Sequence, residues 1–246
     1  MIVEVCANSL QSALNAQEGG AKRVELCSSL IMGGLTPSPS SILMAKAILE
    51  IDVFVMIRPR EGDFCYSDLE FEQMAQDILF CKETGCDGVV LGVLLPDGTV
   101  DVERTKQLVE LASPMQVSFH RAFDLTKDTM KALEDVISTG CTRILTSGNR
   151  PQVMDGIDHV TNLIREAADR IIIMPGGGIN DKNLSRILQT GAQEIHLSGR
   201  RKVESPMEFK KPYLRLTDIP GHTDYVIEET DVKVIRDIVD LLPAED

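Results

Sequence analysis

Apolar residues recur along this chain in two alternating patterns, and each pattern predicts one kind of secondary structure. Short runs rich in valine and isoleucine are typical of strands. Each is followed by a longer segment whose apolar residues recur three and four positions apart, as in an amphipathic helix. The predicted strands are Ile2–Ala7, Arg23–Cys27, Asp52–Ile57, Gly88–Gly92, Met115–His120, Arg143–Ser147, Ile171–Met174 and Glu194–Ser198.

Eight helices are predicted to follow the strands. Ser9 is a suitable N-cap for the first, and Pro39 fits the first turn of the second. The helices are Ser9–Glu18, Ser38–Leu49, Asp68–Thr84, Val102–Leu111, Lys127–Ser138, Val153–Ala168, Lys182–Gln189 and Val232–Leu242. Eight strand–helix units in one run, with no linker between them, predict a single α/β domain: a (β/α)8 TIM-like barrel.

The predicted domain occupies the whole chain, residues 1–246. Residues 1–199 hold the eight strands and the first seven helices, and residues 230–246 hold the final helix. Residues 200–229 form a segment too long for a simple connection. We expect this segment to be a lid over the last loops or an arm that reaches a neighbouring subunit. The arm is favoured because many barrels associate, so a homo-oligomer is expected.

An internal repeat fixes the orientation of the strands. The stretches Gly20–Leu26, Gly85–Leu91, Gly140–Thr146 and Gly191–Leu197 align. Each begins with a glycine suited to a left-handed helix end, and a small residue follows it. The alignment predicts that Val24, Val89, Ile144 and Ile195 face the helices. By alternation, the residues that face the barrel axis include Glu4, Cys6, Glu25, Cys27, Met56, Arg58, Ser118, His120, Ser147, Gly176, His196 and Ser198.

Five ionisable residues on this predicted inner face are unusual for a barrel, whose axis is normally filled by branched apolar side chains. They are Glu4, Glu25, Arg58, His120 and His196. Charged groups are costly to bury unpaired, and they cluster at functional sites. A functional site is therefore predicted, with a buried structural network as the alternative. The run Val117–Asp124 carries His120 to the end of its strand and adds Arg121 and Asp124 in the next loop.

Four groups of residues resemble the CutC family, over a span from Glu4 to about Ser198. These are Val24–Cys27 with Gly33–Ser38, Ile57–Arg60 with Gly62–Ser67, Phe119–Asp124, and Leu145–Gly148. The resemblance implies a barrel related to the TIM barrel and a role in cytoplasmic copper homeostasis and copper tolerance.

Cu(I) prefers soft sulfur ligands. Cys6 and Cys27 lie at the ends of adjacent predicted strands, and the resemblance supports both as candidate Cu(I) ligands. Met56 could add a thioether. The alternative is that both cysteines are small buried packing residues, because the nearby Glu4 and Glu25 would raise a thiol pKa and weaken it as a ligand.

A second hypothesis is an enzyme acting on a small phosphorylated or anionic metabolite. Glycine-rich loops after the last two strands are the usual phosphate-binding pair of such barrels. His120 would be the general acid or base, with Glu4 or Glu25 as its partner. The full predicted catalytic set is Glu4, Glu25, Arg58, His120, Arg121, Asp124 and His196. The predicted ligand-binding set is Arg60, Ser147, Gly176, Gly177, Gly178, Ser198 and Gly199.

The amino-acid composition of the chain argues against several classes of binding partner. The net charge of −13 argues against nucleic-acid and anionic-membrane surfaces. Tryptophan is absent, and aromatic residues make up 4% of the chain, so no stacking platform for bases is evident. No apolar stretch approaches the roughly 18 residues of a membrane helix. Without a recognisable signal peptide, the six cysteines are expected to be reduced thiols in the cytoplasm.

Overall fold

A computed structural model describes residues 1–214, 216, 219 and 223–243. The barrel strands are β1 (Ile2–Ala7), β2 (Arg23–Leu26), β3 (Asp52–Met56), β4 (Gly88–Leu91), β5 (Gln116–Phe119), β6 (Arg143–Thr146), β7 (Ile172–Pro175) and β8 (Glu194–Leu197). The helices are α1 (Leu10–Glu18), α2 (Pro39–Ile48), α3 (Asp68–Thr84), α4 (Val102–Ala112), α5 (Thr129–Thr139), α6 (Ile157–Ala167), α7 (Leu184–Leu188) and α8 (Val232–Asp240).

All eight strands pair in parallel, in the order β7-β6-β5-β4-β3-β2-β1-β8. A parallel bridge between Gly176 and His196 joins the end of β7 to β8. The sheet is therefore a nearly closed barrel, and the predicted (β/α)8 fold is confirmed. No helix in the described ranges is long and apolar enough to cross a membrane.

The predicted orientation of the strands is also confirmed. The main apolar core lies between the sheet and the helices and contains Val24, Val89, Ile144 and Ile195. A separate, smaller apolar cluster lies inside the barrel and consists of Cys6, Cys27, Phe54, Met56 and Val90. Two cores arise because alternate residues of each strand point to opposite faces of the sheet.

The repeated glycines turn the chain from helix to strand as predicted. Gly20, Gly85, Gly140 and Gly191 have φ between +76° and +95°, a region that glycine adopts without steric cost. The residues that follow them, Ala21, Cys86, Cys141 and Ala192, are buried. Cys86 and Cys141 therefore occupy the tight corners predicted for them.

The long segment after β8, expected to be a lid or an arm, contains two strands that the apolar pattern did not predict. Strands β9 (Arg200–Glu204) and β10 (Val226–Thr230) form an antiparallel hairpin. β9 consists mostly of charged residues, so it shows no alternation of apolar residues that would predict a strand. In the folded protein, Arg200 forms an ion pair with Glu228 of β10. Residues 215, 217–218 and 220–222 of this segment, and residues 244–246 after the predicted last helix, lie outside the described residues.

Candidate functional site

A cavity of about 300 Å³ opens at the carboxyl ends of the barrel strands. Residues of the predicted site that line it are Cys6, Glu25, Arg58, His120, Arg121 and His196. From the last two loops, Gly177, Gly178, Ser198 and Arg200 also line it. The fold therefore gathers residues from distant parts of the sequence at one mouth, because the ends of parallel strands meet at one edge.

Below the cavity, at the opposite end of the strands, four charged side chains form a network that we call the floor. It consists of Glu4, Arg23, Arg143 and Glu194, all buried. Arg23 Nε donates to Glu4 Oε2 at 2.5 Å, and Arg23 Nη2 donates to Glu194. Arg143 Nε donates to the same Glu194 oxygen at 3.0 Å. Both guanidinium groups lie against the Phe54 ring, at 4.8 and 4.9 Å from its centre.

Three members of the floor, Arg23, Arg143 and Glu194, are absent from the predicted site. They lie two residues before Glu25, Leu145 and His196 on the same strands, so they share the inward orientation. Extending the alternation by one step would have found them. Glu4, predicted as catalytic, belongs to this network and does not line the cavity.

One histidine links the floor to the mouth. His196 Nδ1 lies 2.7 Å from Glu4 Oε1 and 3.5 Å from Glu25 Oε2. Burial opposes ionisation of Glu4, but the His196 hydrogen bond and the Arg23 charge outweigh it and lower the Glu4 pKa to about 2. Burial dominates at Glu25 and raises its pKa to about 7. For His196, the carboxylates overcome burial and raise the pKa. His196 therefore stands between two carboxyl groups of opposite tendency: Glu4, which is readily ionised, and Glu25, which burial makes easier to protonate.

Soft and acidic ligand atoms meet beside this pair. The Sγ atoms of Cys6 and Cys27 are 3.7 Å apart, and Cys6 Sγ is 3.9 Å from Glu25 Oε1. Cys6, Glu25 and His196 each place one possible metal-ligand atom within 4.8 Å of the others. The hydrogen bond with Cys27, burial and the Glu25 charge raise the Cys6 pKa well above its ordinary value. Cys6 is therefore a protonated thiol near neutral pH.

Across the mouth, His120 is held as a neutral imidazole. Its Nδ1 accepts a hydrogen bond from the Ala122 N–H at 3.2 Å, which places the ring proton on Nε2. Burial, together with the charge of Arg58, lowers the His120 pKa to about 3. Nε2 has no hydrogen-bond partner among the described residues. The ring packs on Phe64 at 4.7 Å, so His120 offers one free donor on a rigid ring.

Arg58 serves mainly to hold two loops together. Its Nη1 donates to the carbonyl oxygens of Met32 and Gly34 at 2.8 and 3.0 Å, and its Nη2 donates to Gly62 at 2.8 Å. The guanidinium stacks on Phe64 at 5.0 Å. Arg58 contributes positive charge to the cavity, but these terminal nitrogens are already occupied.

Asp124, predicted as part of the catalytic set, lies behind the cavity wall and holds its neighbours in place. Its carboxylate accepts from Thr146 Oγ1 at 2.5 Å, Ser147 Oγ at 2.9 Å and Arg121 Nε at 2.8 Å. The backbone N–H groups of Ser147 and Asn149 add further hydrogen bonds. Asp124 and Ser147 lie outside the cavity lining, and their bonds fix Arg121, which lines it.

Arg60, Gly176 and Gly199 also lie outside the cavity lining. Arg60, predicted to bind the ligand, is tied to its own loop by Glu70 at 2.6 Å and Asp63 at 3.0 Å. Gly176 is packed against the side chains of Leu145 and His196. Of the predicted glycine and serine ligands, Gly177, Gly178 and Ser198 reach the mouth.

Comparisons with known proteins agree with this geometry. The CutC family model matches residues 1–201. Proteins named "Copper homeostasis protein cutC homolog" are 47% identical in mouse and 45% identical in human, each over 96% of this chain; the match spans 87% and 86% of those proteins. A protein named "family protein CutC" from Chromobacterium violaceum is 45% identical over 96% of this chain and 95% of its own length.

Solved structures show the same fold. A crystal structure described as CutC from Streptococcus agalactiae has a TM-score of 0.77 and 37% identity, and covers 80% of this chain and 98% of that one. Phosphoribosyl anthranilate isomerase from Thermus thermophilus, at 13% identity, has a TM-score of 0.56, with 98% and 97% of the two chains covered. The second likeness shows the barrel alone. Together, the family model and the relatives place this chain in the CutC family.

Proposed function

We propose that this protein acts in copper homeostasis by binding one Cu(I) ion between Cys6 and Cys27. The observation that carries the proposal is the 3.7 Å separation of the two Sγ atoms on adjacent strands. Two sulfur ligands at this separation suit a soft monovalent ion. Met56 lies in the same small apolar cluster and could supply a thioether as a third soft ligand. The names of the mouse and human relatives support copper as the metal.

The surroundings of the thiols fit a site that loads and releases its ion. Because the pKa of Cys6 is raised, Cu(I) must displace a proton from that thiol on binding. Glu25, whose Oε1 lies 3.9 Å from Cys6 Sγ, can accept that proton. Affinity should then rise with pH, as expected when protons and metal compete for one sulfur. All six cysteines are free thiols, which supports the cytoplasmic location expected from the sequence.

A competition titration tests the proposal. The wild-type protein, without oxygen, should take about one equivalent of Cu(I) from a chromophoric chelator. The Cys6→Ser, Cys27→Ser double variant should lose this binding. The matched control is Cys65→Ser, Cys141→Ser, which removes two thiols that belong neither to the cavity lining nor to the inner apolar cluster and should keep the wild-type affinity. Unchanged affinity in the first variant would exclude Cys6 and Cys27 as the ligands.

A second candidate function is acid–base catalysis on a small anionic metabolite. The observation that favours it is that Glu25 and His120 line one cavity with pKa values displaced in opposite directions, to about 7 and about 3. Near neutral pH, Glu25 can then give or take a proton while His120 donates a hydrogen bond from Nε2.

Metabolite depletion, followed by mass spectrometry in a mixture of phosphorylated sugars and acids, tests this second function. The wild-type protein should consume at least one compound. His120→Ala should bind that compound but leave it unchanged, because the group it removes is assigned to the reaction rather than to anion binding. Equal turnover by the variant would remove His120 from the mechanism.

A further inference from the structure

The charge of the cavity is opposite to the charge of the protein. The chain as a whole carries −13, yet three arginines, Arg58, Arg121 and Arg200, line the mouth together with one carboxylate, that of Glu25. A cavity lined mostly by one sign of charge concentrates ligands of the other sign. These arginines can bind an anion only if some of their guanidinium N–H groups are not already used in hydrogen bonds within the protein.

Arg121 has one. Its Nε donates to Asp124 at 2.8 Å, and its Nη2 donates to Ser147 Oγ at 2.6 Å and to the Arg150 carbonyl at 3.0 Å. No partner for Nη1 occurs among the described residues. This nitrogen lies 3.7 Å from the position that a β-carbon on Gly177 would occupy. The guanidinium is therefore fixed on two sides and presents its remaining nitrogen beside Gly177.

Arg200, the first residue of β9, has a similar arrangement. Its Nε donates to Ser198 Oγ at 3.3 Å, and its Nη1 donates to Glu228 of the hairpin. Within the part of the chain that the structure describes, Nη2 has no partner. Two arginines that line the same cavity thus each keep one terminal nitrogen free.

The backbone between them adds donors. Gly177 and Gly178 have φ of +102° and +84°. Their carbonyl oxygens are used: Gly177 accepts from the Val153 N–H at 2.8 Å, and Gly178 accepts from the Asn183 side chain at 2.8 Å. Their N–H groups find no acceptor in the described ranges. Residues with a β-carbon rarely adopt a φ this positive, so the turn favours glycine at both positions.

We propose that Arg121, Gly177, Gly178 and Arg200 bind the phosphate group of a small phosphate monoester. Two free guanidinium nitrogens and two free N–H groups match the three terminal oxygens of a phosphate better than the two of a carboxylate. A cavity of about 300 Å³ is at the lower end of ligand sites, so the rest of the molecule must be small. Leu30, Phe64 and Leu145 give that part an apolar wall.

This binding requires neither copper nor turnover, so its test is separate from those of the proposed function. The phosphate-binding residues are distinct from Cys6 and Cys27. The Cys6→Ser, Cys27→Ser variant should therefore keep phosphate affinity, and a failure to bind Cu(I) would leave this inference standing.

Calorimetric titration at constant ionic strength is the first experiment. Inorganic phosphate should bind, and phenyl phosphate should bind more tightly because its ring reaches the apolar wall. Benzoate, which carries the same ring on a carboxylate, should bind at least about tenfold more weakly than phenyl phosphate, because free donors are left without partners. The absence of phosphate binding, or equal affinity for benzoate, would overturn the inference.

Matched arginine variants are the second experiment. Arg200→Gln should weaken phosphate binding about tenfold, the effect of one charge-assisted hydrogen bond, and Arg200→Lys should retain part of it. Arg121→Lys tests the other loop and keeps the charge. The control is Arg186→Gln on the exposed side of α7, which changes net charge equally and should leave binding unchanged. Circular dichroism verifies folding of each variant. Equal affinities of Arg200→Gln and Arg186→Gln would contradict the assignment.

Discussion

The floor and the mouth of this barrel contain the same kinds of charged side chains, but those in the floor have hydrogen-bond partners that some of those at the mouth lack. In the floor, each carboxylate accepts from an arginine, and Glu194 receives two arginines at once. At the mouth, Glu25 Oε2 and His120 Nε2 are buried without hydrogen-bond partners among the described residues. A buried polar group that lacks a partner carries a free-energy cost. The cost is tolerated where a ligand supplies the missing partner, so charge alone does not identify a site.

The largest expected effect is in the floor. Glu194→Gln removes the carboxylate that Arg23 and Arg143 share, and leaves two buried guanidinium groups with Glu4 alone. Breaking a buried ion pair costs about 3–5 kcal/mol of unfolding free energy. Urea denaturation should show a large fall in midpoint. The control is Glu134→Gln, which breaks an exposed pair with Arg170 and should change the midpoint little. Equal midpoints would mean that the floor is not a structural network.

The next effect is a pH dependence that His120 imposes. Its folded pKa of about 3 lies below the ordinary 6.5, so the unfolded chain binds the proton first and stability is lost as pH falls below 6.5. Between pH 7 and pH 5 the loss amounts to about 2 kcal/mol. The His120→Gln variant has no imidazole to protonate, so its unfolding free energy should fall less than that of the wild type over this interval, by that amount. Denaturation curves at both pH values measure it, and identical pH dependence in the two proteins would contradict the buried neutral imidazole.

The smallest expected effect on stability comes from the same glutamate-to-glutamine substitution made at the mouth instead of in the floor. Glu25→Gln replaces a carboxyl group that is half-protonated near pH 7, and its Oε2 lacks a hydrogen-bond partner in the described ranges. We expect a change within about 1 kcal/mol at pH 7, because no satisfied ion pair is lost.

The sign of this change should vary with pH. The folded pKa of Glu25 is raised, so its ionisation costs stability as pH rises from 5 to 8, and the variant should gain on the wild type over that range. Denaturation at pH 5, 7 and 8 measures the trend. A loss comparable to that of Glu194→Gln would erase the distinction between floor and mouth.

The sequence by itself determined the barrel and the orientation of its strands. Strand β1 and helix α3 begin and end at the predicted residues, and the repeated glycines take the left-handed conformation predicted for them. These features are local: alternation along a strand and a glycine at a helix end need no knowledge of distant neighbours. The hairpin of β9 and β10 was missed because its strands are stabilised by cross-strand charge pairs rather than by an apolar face.

Only the tertiary structure decided which of the inward residues act together. The sequence predicted Glu4 and Glu25 equally as catalytic partners of His120. In the structure, Arg23 holds Glu4 in the floor, whereas Glu25 lines the cavity. The sequence also placed Arg60 among the ligand-binding residues, whereas Glu70 and Asp63 hold this side chain away from the mouth. Alternation gives the direction of a side chain, but its partner comes from another strand or loop. Which donors stay free therefore depends on distances that exist only once the barrel has closed.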